Sequence, residues 1–126
     1  MRKLLLTALL CFSINGFAFN WKKVTQNTNG DSLYVDVDSI KKHNGLVYYW
    51  LLADYLEPTS DGDNSSISKW RVDCGEEKKT LLNTTWYSQL MGKGKILQED
   101  TVSWDRYPKP KSFRYKIMKF ACANAK

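Results

Sequence analysis

Leu46-Val47-Tyr48-Tyr49-Trp50-Leu51-Leu52-Ala53-Asp54-Tyr55 is the strongest strand signal in the chain. Every residue but Asp54 is apolar or aromatic, and both two-residue phases carry large side chains. Leu46, Tyr48, Trp50 and Leu52 occupy one phase; Val47, Tyr49, Leu51, Ala53 and Tyr55 occupy the other. A strand with one wet face spends a phase on polar residues, so the pattern predicts a central strand covered on both sides. Its aromatic content disfavours a helix of the same length. His43-Asn44-Gly45 supplies a turn before it, and a polar run opening at Pro58 follows.

Working outward, the N-terminus carries a targeting signal. Met1-Arg2-Lys3 is basic, Leu4 to Ile14 is an apolar run, and Gly16-Phe17-Ala18 places small residues at a cleavage position. The run is short for a bilayer span. Residues 1–18 are therefore expected to be a signal peptide, and residues 19–126 a single exported domain. Cys11 is preceded by Leu10, where a lipid-attachment signal wants a small side chain, so lipidation is not expected. The formal charge of +6 falls by two once Arg2 and Lys3 are removed. What remains suits solubility and a weak attraction to polyanions or anionic membrane surfaces. Removing Cys11 leaves Cys74 and Cys122, and export into an oxidising compartment predicts a disulfide between them.

The remaining pattern is mostly extended. Trp21 to Val24 and Leu33 to Val37 flank turn-forming residues and suit an N-terminal hairpin. Asp38-Ser39-Ile40 is expected to open a short helical turn that ends over Lys41, Lys42 and His43, with Asp38 or Ser39 as its cap. Ser66 to Cys74 alternates: Trp70, Val72 and Cys74 share one phase, Lys69, Arg71 and Asp73 the other. That strand should pair antiparallel with the central one. Lys78 to Ser88 is a further strand, with Leu82, Thr84 and Trp86 opposite Leu81, Asn83, Thr85 and Tyr87. Lys95 to Leu97 and Thr101 to Trp104 are short extended pieces. A closing helix should run from Ser112, its cap, to about Ala123, burying Phe113, Ile117, Phe120 and Ala121. The fold class expected is α+β: a small antiparallel β-sheet domain with a short helical turn after its second strand and a C-terminal helix packed on the sheet, fastened by one disulfide.

The order of these motifs resembles the bacterial surface-adhesin protein E family. The residues that carry the resemblance are Trp21-Lys22-Lys23-Val24, Tyr34-Val35-Asp36, Asp38-Ser39-Ile40, Trp50-Leu51-Leu52-Ala53-Asp54-Tyr55, Asp73-Cys74, Tyr87-Ser88, Trp104, Pro110-Lys111-Ser112 and Cys122. Pro110-Lys111-Ser112 departs from a Pro-Gly-Ser-like turn usual in that family. The resemblance implies an antiparallel sheet with a C-terminal helix. The founding adhesin of the family is associated with host matrix proteins, haem and dimer formation; the matching residues read as structural, so no ligand site is carried over from it.

Residue chemistry points away from catalysis. His43 is the one histidine, and both exported cysteines have a structural use, so no metal or cofactor is expected. Ser39 and His43 lack an orienting third group. Asp36, Asp38 and Asp54 read as caps or charge partners rather than an acid–base pair. Asp61-Gly62-Asp63-Asn64-Ser65 lacks the full spacing and terminal Glu of an EF-hand calcium loop. The aromatic surplus offers a partner surface instead. The candidates are Trp86, Tyr87, Trp104 and Tyr107, with Arg106, Lys109 and Lys111 beside them. The function expected is a non-catalytic exported cell-envelope protein, a protein-binding or adhesin-like module in the periplasm or on the outer surface of a bacterium. A second reading is a periplasmic structural or accessory subunit of a larger assembly, and a third a small hydrolase. Expected partners are an envelope or extracellular protein and a second copy of the chain, with no specific nucleic acid.

Overall fold

The computed structural model describes residues 18–126, so the signal peptide expected over residues 1–18 falls, but for Ala18, outside the described residues. Three long antiparallel strands form the middle of one sheet: β4 (Leu46–Asp54), β5 (Ser65–Asp73) and β6 (Lys78–Tyr87). Each flank divides between two short segments. β2 (Ser32–Asp36) pairs with the second half of β4 and β3 (Lys41–His43) with its first half. On the other side β7 (Ile96–Asp100) pairs with the end of β6, and β8 (Trp104–Arg106) with its beginning. β1 (Trp21–Gln26) closes the sheet beyond β2 through the expected hairpin.

One face of the sheet is covered by helix α1 (Phe113–Ala123). Ser112 caps it as the sequence indicates: its hydroxyl oxygen accepts from the Tyr115 amide at 3.1 Å. The helix buries Ile117, Met118 and Ala121 in one cluster with Val35, Val47, Tyr49 and Val72. Cys74 and Cys122 form the expected disulfide, their Cα atoms 6.1 Å apart. Beyond the helix, main-chain bonds join Lys126 to Ile40 and Lys42, so the C-terminus is sewn to β3.

Three expectations need correction. The helical turn over Asp38–Ile40 amounts to one tight turn in which the Ser39 amide donates to the Asp36 carbonyl oxygen. Asp36, not Asp38 or Ser39, is the capping carboxylate: it accepts from the Asn20 and Asp38 amides and from the Ser39 hydroxyl. Lys41-Lys42-His43 continues as strand because Asn44 and Gly45, both at positive φ, make the two-residue hairpin turn that returns the chain along β4. The third concerns the central strand, which is covered on one side only along its first half. Val47 and Tyr49 are buried beneath the helix, whereas Tyr48 and Trp50 lie half-exposed on the opposite face. On that face only the far end is covered, where the Leu90–Gly92 turn sits over Leu52 and Ile67. Gly92, at φ +66°, makes the close approach: a Cβ there would lie 2.6 Å from Ile67 Cδ1.

The Pro110-Lys111-Ser112 turn carries a small strain. Lys111 sits at φ +72°, a left-handed conformation that glycine adopts freely and lysine does not. Lys111→Gly is therefore expected to raise stability by about 0.5–1 kcal/mol. A urea titration checks it; a loss of stability would show that the lysine side chain contributes more than its backbone costs.

Candidate functional site

The seven sequence-nominated residues do not form one surface. Trp104, Arg106, Tyr107 and Lys109 gather where β8 runs toward the start of α1, with Trp104 and Tyr107 exposed. Trp86 and Tyr87 lie at the other end of β6, roughly 17 Å along the strand by its rise per residue. Both are half-buried there, and burial with Glu99 nearby pushes the Tyr87 phenol up. Lys111 faces a different groove, between the β1–β2 turn and the helix start, shared with Thr28, Phe113 and Lys116.

The bare face of the sheet holds a second aromatic group that the strand pattern assigned to the core. β4 presents Tyr48 and Trp50 there, and β5 presents Lys69 and Arg71 directly opposite them. The Lys69 ammonium lies 5.3 Å from the Trp50 ring centroid and 6.0 Å from that of Tyr48. Phe19 stacks on Trp21 at 4.6 Å and meets Trp50 edge-on at 6.1 Å. Strand alternation places Trp21, Tyr48, Trp50, Lys69 and Arg71 on one face, and this part of it is uncovered because α1, the one α-helix among the described residues, packs on the other side. A shallow depression of about 210 Å³ lies on it beside Ser39, Lys41 and Trp50. This is a flat patch of interlocked rings rimmed by cations. Tryptophan, tyrosine and arginine dominate protein interfaces because they combine apolar area with polar contact at low entropic cost.

On the helix face a basic corner forms around Lys79, a residue that sequence reasoning did not single out. It is 1% exposed, with its ammonium 4.0 Å from the Trp70 ring centroid and 5.7 Å from that of Tyr49. Arg106 is its cross-strand partner and stacks on Trp104 at 4.6 Å. Burial, then repulsion from Arg106 and Arg114, brings the Lys79 ammonium down to about 7. Arg114 is likewise lowered, by burial and by Arg106.

The expected carboxylate roles resolve as structural. Asp54 accepts from the Met91 amide at 2.7 Å, anchoring the turn over Leu52, and Asp63 is tied to Thr59. His43 is exposed at the end of β3. Among the described residues no group of three His, Cys, Asp or Glu side chains is placed to hold a metal ion.

These features meet a known architecture. The family model for surface-adhesin protein E matches residues 21–123. The chain belongs to the surface-adhesin protein E family. Its structure is similar to Haemophilus influenzae protein E, with a TM-score of 0.64 at 19% identity over 82% of this chain and 84% of that one. A second crystal form of protein E superposes with a TM-score of 0.65 at the same identity, over 82% and 87% of the two chains. Protein E from a non-typeable strain gives 0.61 over 82% and 76%. No curated protein matches the chain. Membership in this surface-adhesin family implies an exported or cell-surface protein that is adhesin-like and binds extracellular or host proteins. At 19% identity the protein E likeness speaks for the fold, and ligand choice rests on this chain's own residues.

Proposed function

We propose that this protein is a non-enzymatic surface adhesin whose contact surface is the bare sheet face built on Trp50. The observation that carries this reading is the interlocked group of Phe19, Trp21 and Trp50, joined to Tyr48 by the Lys69 ammonium that lies over both rings, and left uncovered by the helix. An open, flat aromatic patch suits a macromolecular partner better than a small substrate, which needs an enclosing cavity. Partner binding removes the rings from water, and Lys69 and Arg71 select for an acidic or carbonyl-rich counterpart. Trp104 and Tyr107 form a second exposed aromatic contact at the β8 corner.

The test is surface plasmon resonance of the purified, disulfide-bonded protein over a panel of extracellular-matrix glycoproteins. Saturable binding to at least one is expected, weakened tenfold or more by Trp50→Ala and by the charge reversal Lys69→Glu. Absence of saturable binding across the panel, or binding indifferent to both changes, contradicts the reading. A second copy of the chain is a further partner, pairing along the free edge of β7, where Ile96 and Leu97 are exposed. Sedimentation of the same samples decides it: a concentration-dependent dimer supports that pairing, and a monomer throughout removes it.

A further inference from the structure

The basic corner on the helix face holds more positive charge than its surroundings neutralise. Arg106, Lys109, Ser112 and Arg114 line a cleft of about 240 Å³ together with Tyr107 and Pro108. Lys79 lies beneath it, and its electrostatic neighbours are the two cleft arginines. Among the described residues the one ion pair is Lys119–Glu77, so none of these cations has a carboxylate within ion-pair distance. The nearby acids are engaged elsewhere: Glu77 takes the Tyr115 hydroxyl and Lys119, and Asp105 takes the Thr80 hydroxyl at 2.7 Å. Arg106 Nε is buried and has no hydrogen-bond partner. A buried donor left unpaired costs about 1–3 kcal/mol, so a native structure ordinarily gives it an acceptor.

The geometry around these charges is already set. The Arg106 guanidinium lies over the Trp104 ring at 4.6 Å and that of Arg114 over the Phe113 ring at 4.4 Å, contacts that restrict where both can go. Ser112 caps α1 by accepting from Tyr115, which leaves its own hydroxyl proton free. The amides of Phe113 and Arg114, in the first turn, have no partner among the described residues. First-turn amides carry the positive end of the helix dipole and point out of the helix toward an anion.

We propose that this cleft binds a tetrahedral oxyanion, the phosphate or sulfate group of an extracellular ligand, through Arg106, Arg114 and the Ser112 end of the helix. Two guanidiniums supply paired donors matched to such oxygens, and the buried Lys79 ammonium adds charge from below. An anion seated there offsets the mutual repulsion of three cations that have no carboxylate within ion-pair distance among the described residues. The site lies on the helix face, opposite the Trp50 patch, so it stands or falls independently of that surface's partner.

The test is titration of the purified, disulfide-bonded protein with sodium phosphate and with sodium sulfate, against sodium chloride at equal ionic strength. The readouts are thermal unfolding and the Arg106 Nε–H resonance. A saturable rise in midpoint with phosphate or sulfate, absent with chloride, and a shifted Arg106 resonance are expected. Arg114→Gln is expected to weaken binding at least tenfold, while Lys116→Gln, on the same helix but outside the cleft, stays within twofold. Near-ultraviolet circular dichroism confirms that both variants fold. O-phosphoserine and a sulfated disaccharide then compare the two ester sources, and the tighter of them names the natural group. Equal effects of all three salts, an unmoved Arg106 resonance, or undiminished binding in Arg114→Gln would each overturn the proposal.

Discussion

Replacing Cys74 and Cys122 together with serine is expected to lower the melting midpoint by roughly 15–25 °C, a loss of about 4 kcal/mol. The bond spans 48 residues and ties the turn after β5 to the last turn of α1. A loop of that length adds about 4 kcal/mol by restricting the unfolded chain. The loss matters because α1 packs Ile117, Met118 and Ala121 into the cluster that holds Val35, Val47 and Tyr49. The Lys126 main-chain bonds to Ile40 and Lys42 hold the same end of the chain and soften the effect. Calorimetry of the double variant checks it. A midpoint within about 3 °C of the parent would show that packing and those tail bonds alone seat the helix.

Lys79→Met is expected to stabilise the protein at pH 6 in chloride buffer, by about 3 kcal/mol. The ammonium titrates near 7 when folded and at 10.5 when free. At roughly 1.4 kcal/mol per pH unit this is a net cost near 5 kcal/mol, from which imperfect packing of methionine in the lysine's place takes back about 1–2. The sign follows from proton counting. Between about 7 and 10.5 the unfolded chain holds a proton that the folded chain has released, so parent stability rises with pH across that window. Below 7 both states are protonated and the full penalty of burying the charge remains. The advantage of methionine should therefore be greatest at pH 6 and shrink by more than half by pH 9. The charged groups facing Lys79 are Arg106 from β8 and Arg114 from α1. The Tyr49 phenol from β4, pushed far up by burial, does not ionise in that range. Denaturant titrations at both pH values decide it; a gain independent of pH, or a loss of stability, would contradict a buried and uncompensated lysine.

Lys79 also shows where the sequence stops being informative. Along a regular strand it alternates in phase with Leu81, Asn83 and Thr85, a mixed set that reads as a wet face. A bulge opposite Lys69 and Trp70 leaves Leu82 without a partner and switches the phase. Lys79 and Leu81 then share the helix face with Thr84 and Trp86. One unpaired residue moved a lysine from solvent to core, and no composition signal marks it. The Lys41–His43 strand was missed for another reason. Asp and Ser before three polar residues resemble a capped helix start, but pairing with the first half of β4 prevails over that local preference.

What was legible had strong local chemistry behind it. Ser112 and the apolar spacing of Ile117 and Ala121 defined the helix, two cysteines in an exported chain defined the disulfide, and clean alternation in β5 defined its pairing with β4. The helix's second buried contact, Met118, falls beside the expected stripe and was not anticipated. The aromatic surplus was visible, but which rings face solvent depended on the number of layers. A phase carrying Tyr48 and Trp50 reads as core unless nothing is left in the chain to cover it. The surface nominated around Trp86 and Trp104 therefore divides between the two ends of β6, while the Trp50 patch lies on the opposite face.

Covalent labelling of aromatic rings, run on the free protein and on the protein bound to a matrix glycoprotein, tests that patch most directly. Trp50, Trp21 and Tyr48 are expected to react readily when free and to become protected on binding, with the buried Trp70 unreactive in both states. Labelling of Trp50 that is unchanged by a bound partner would contradict this expectation.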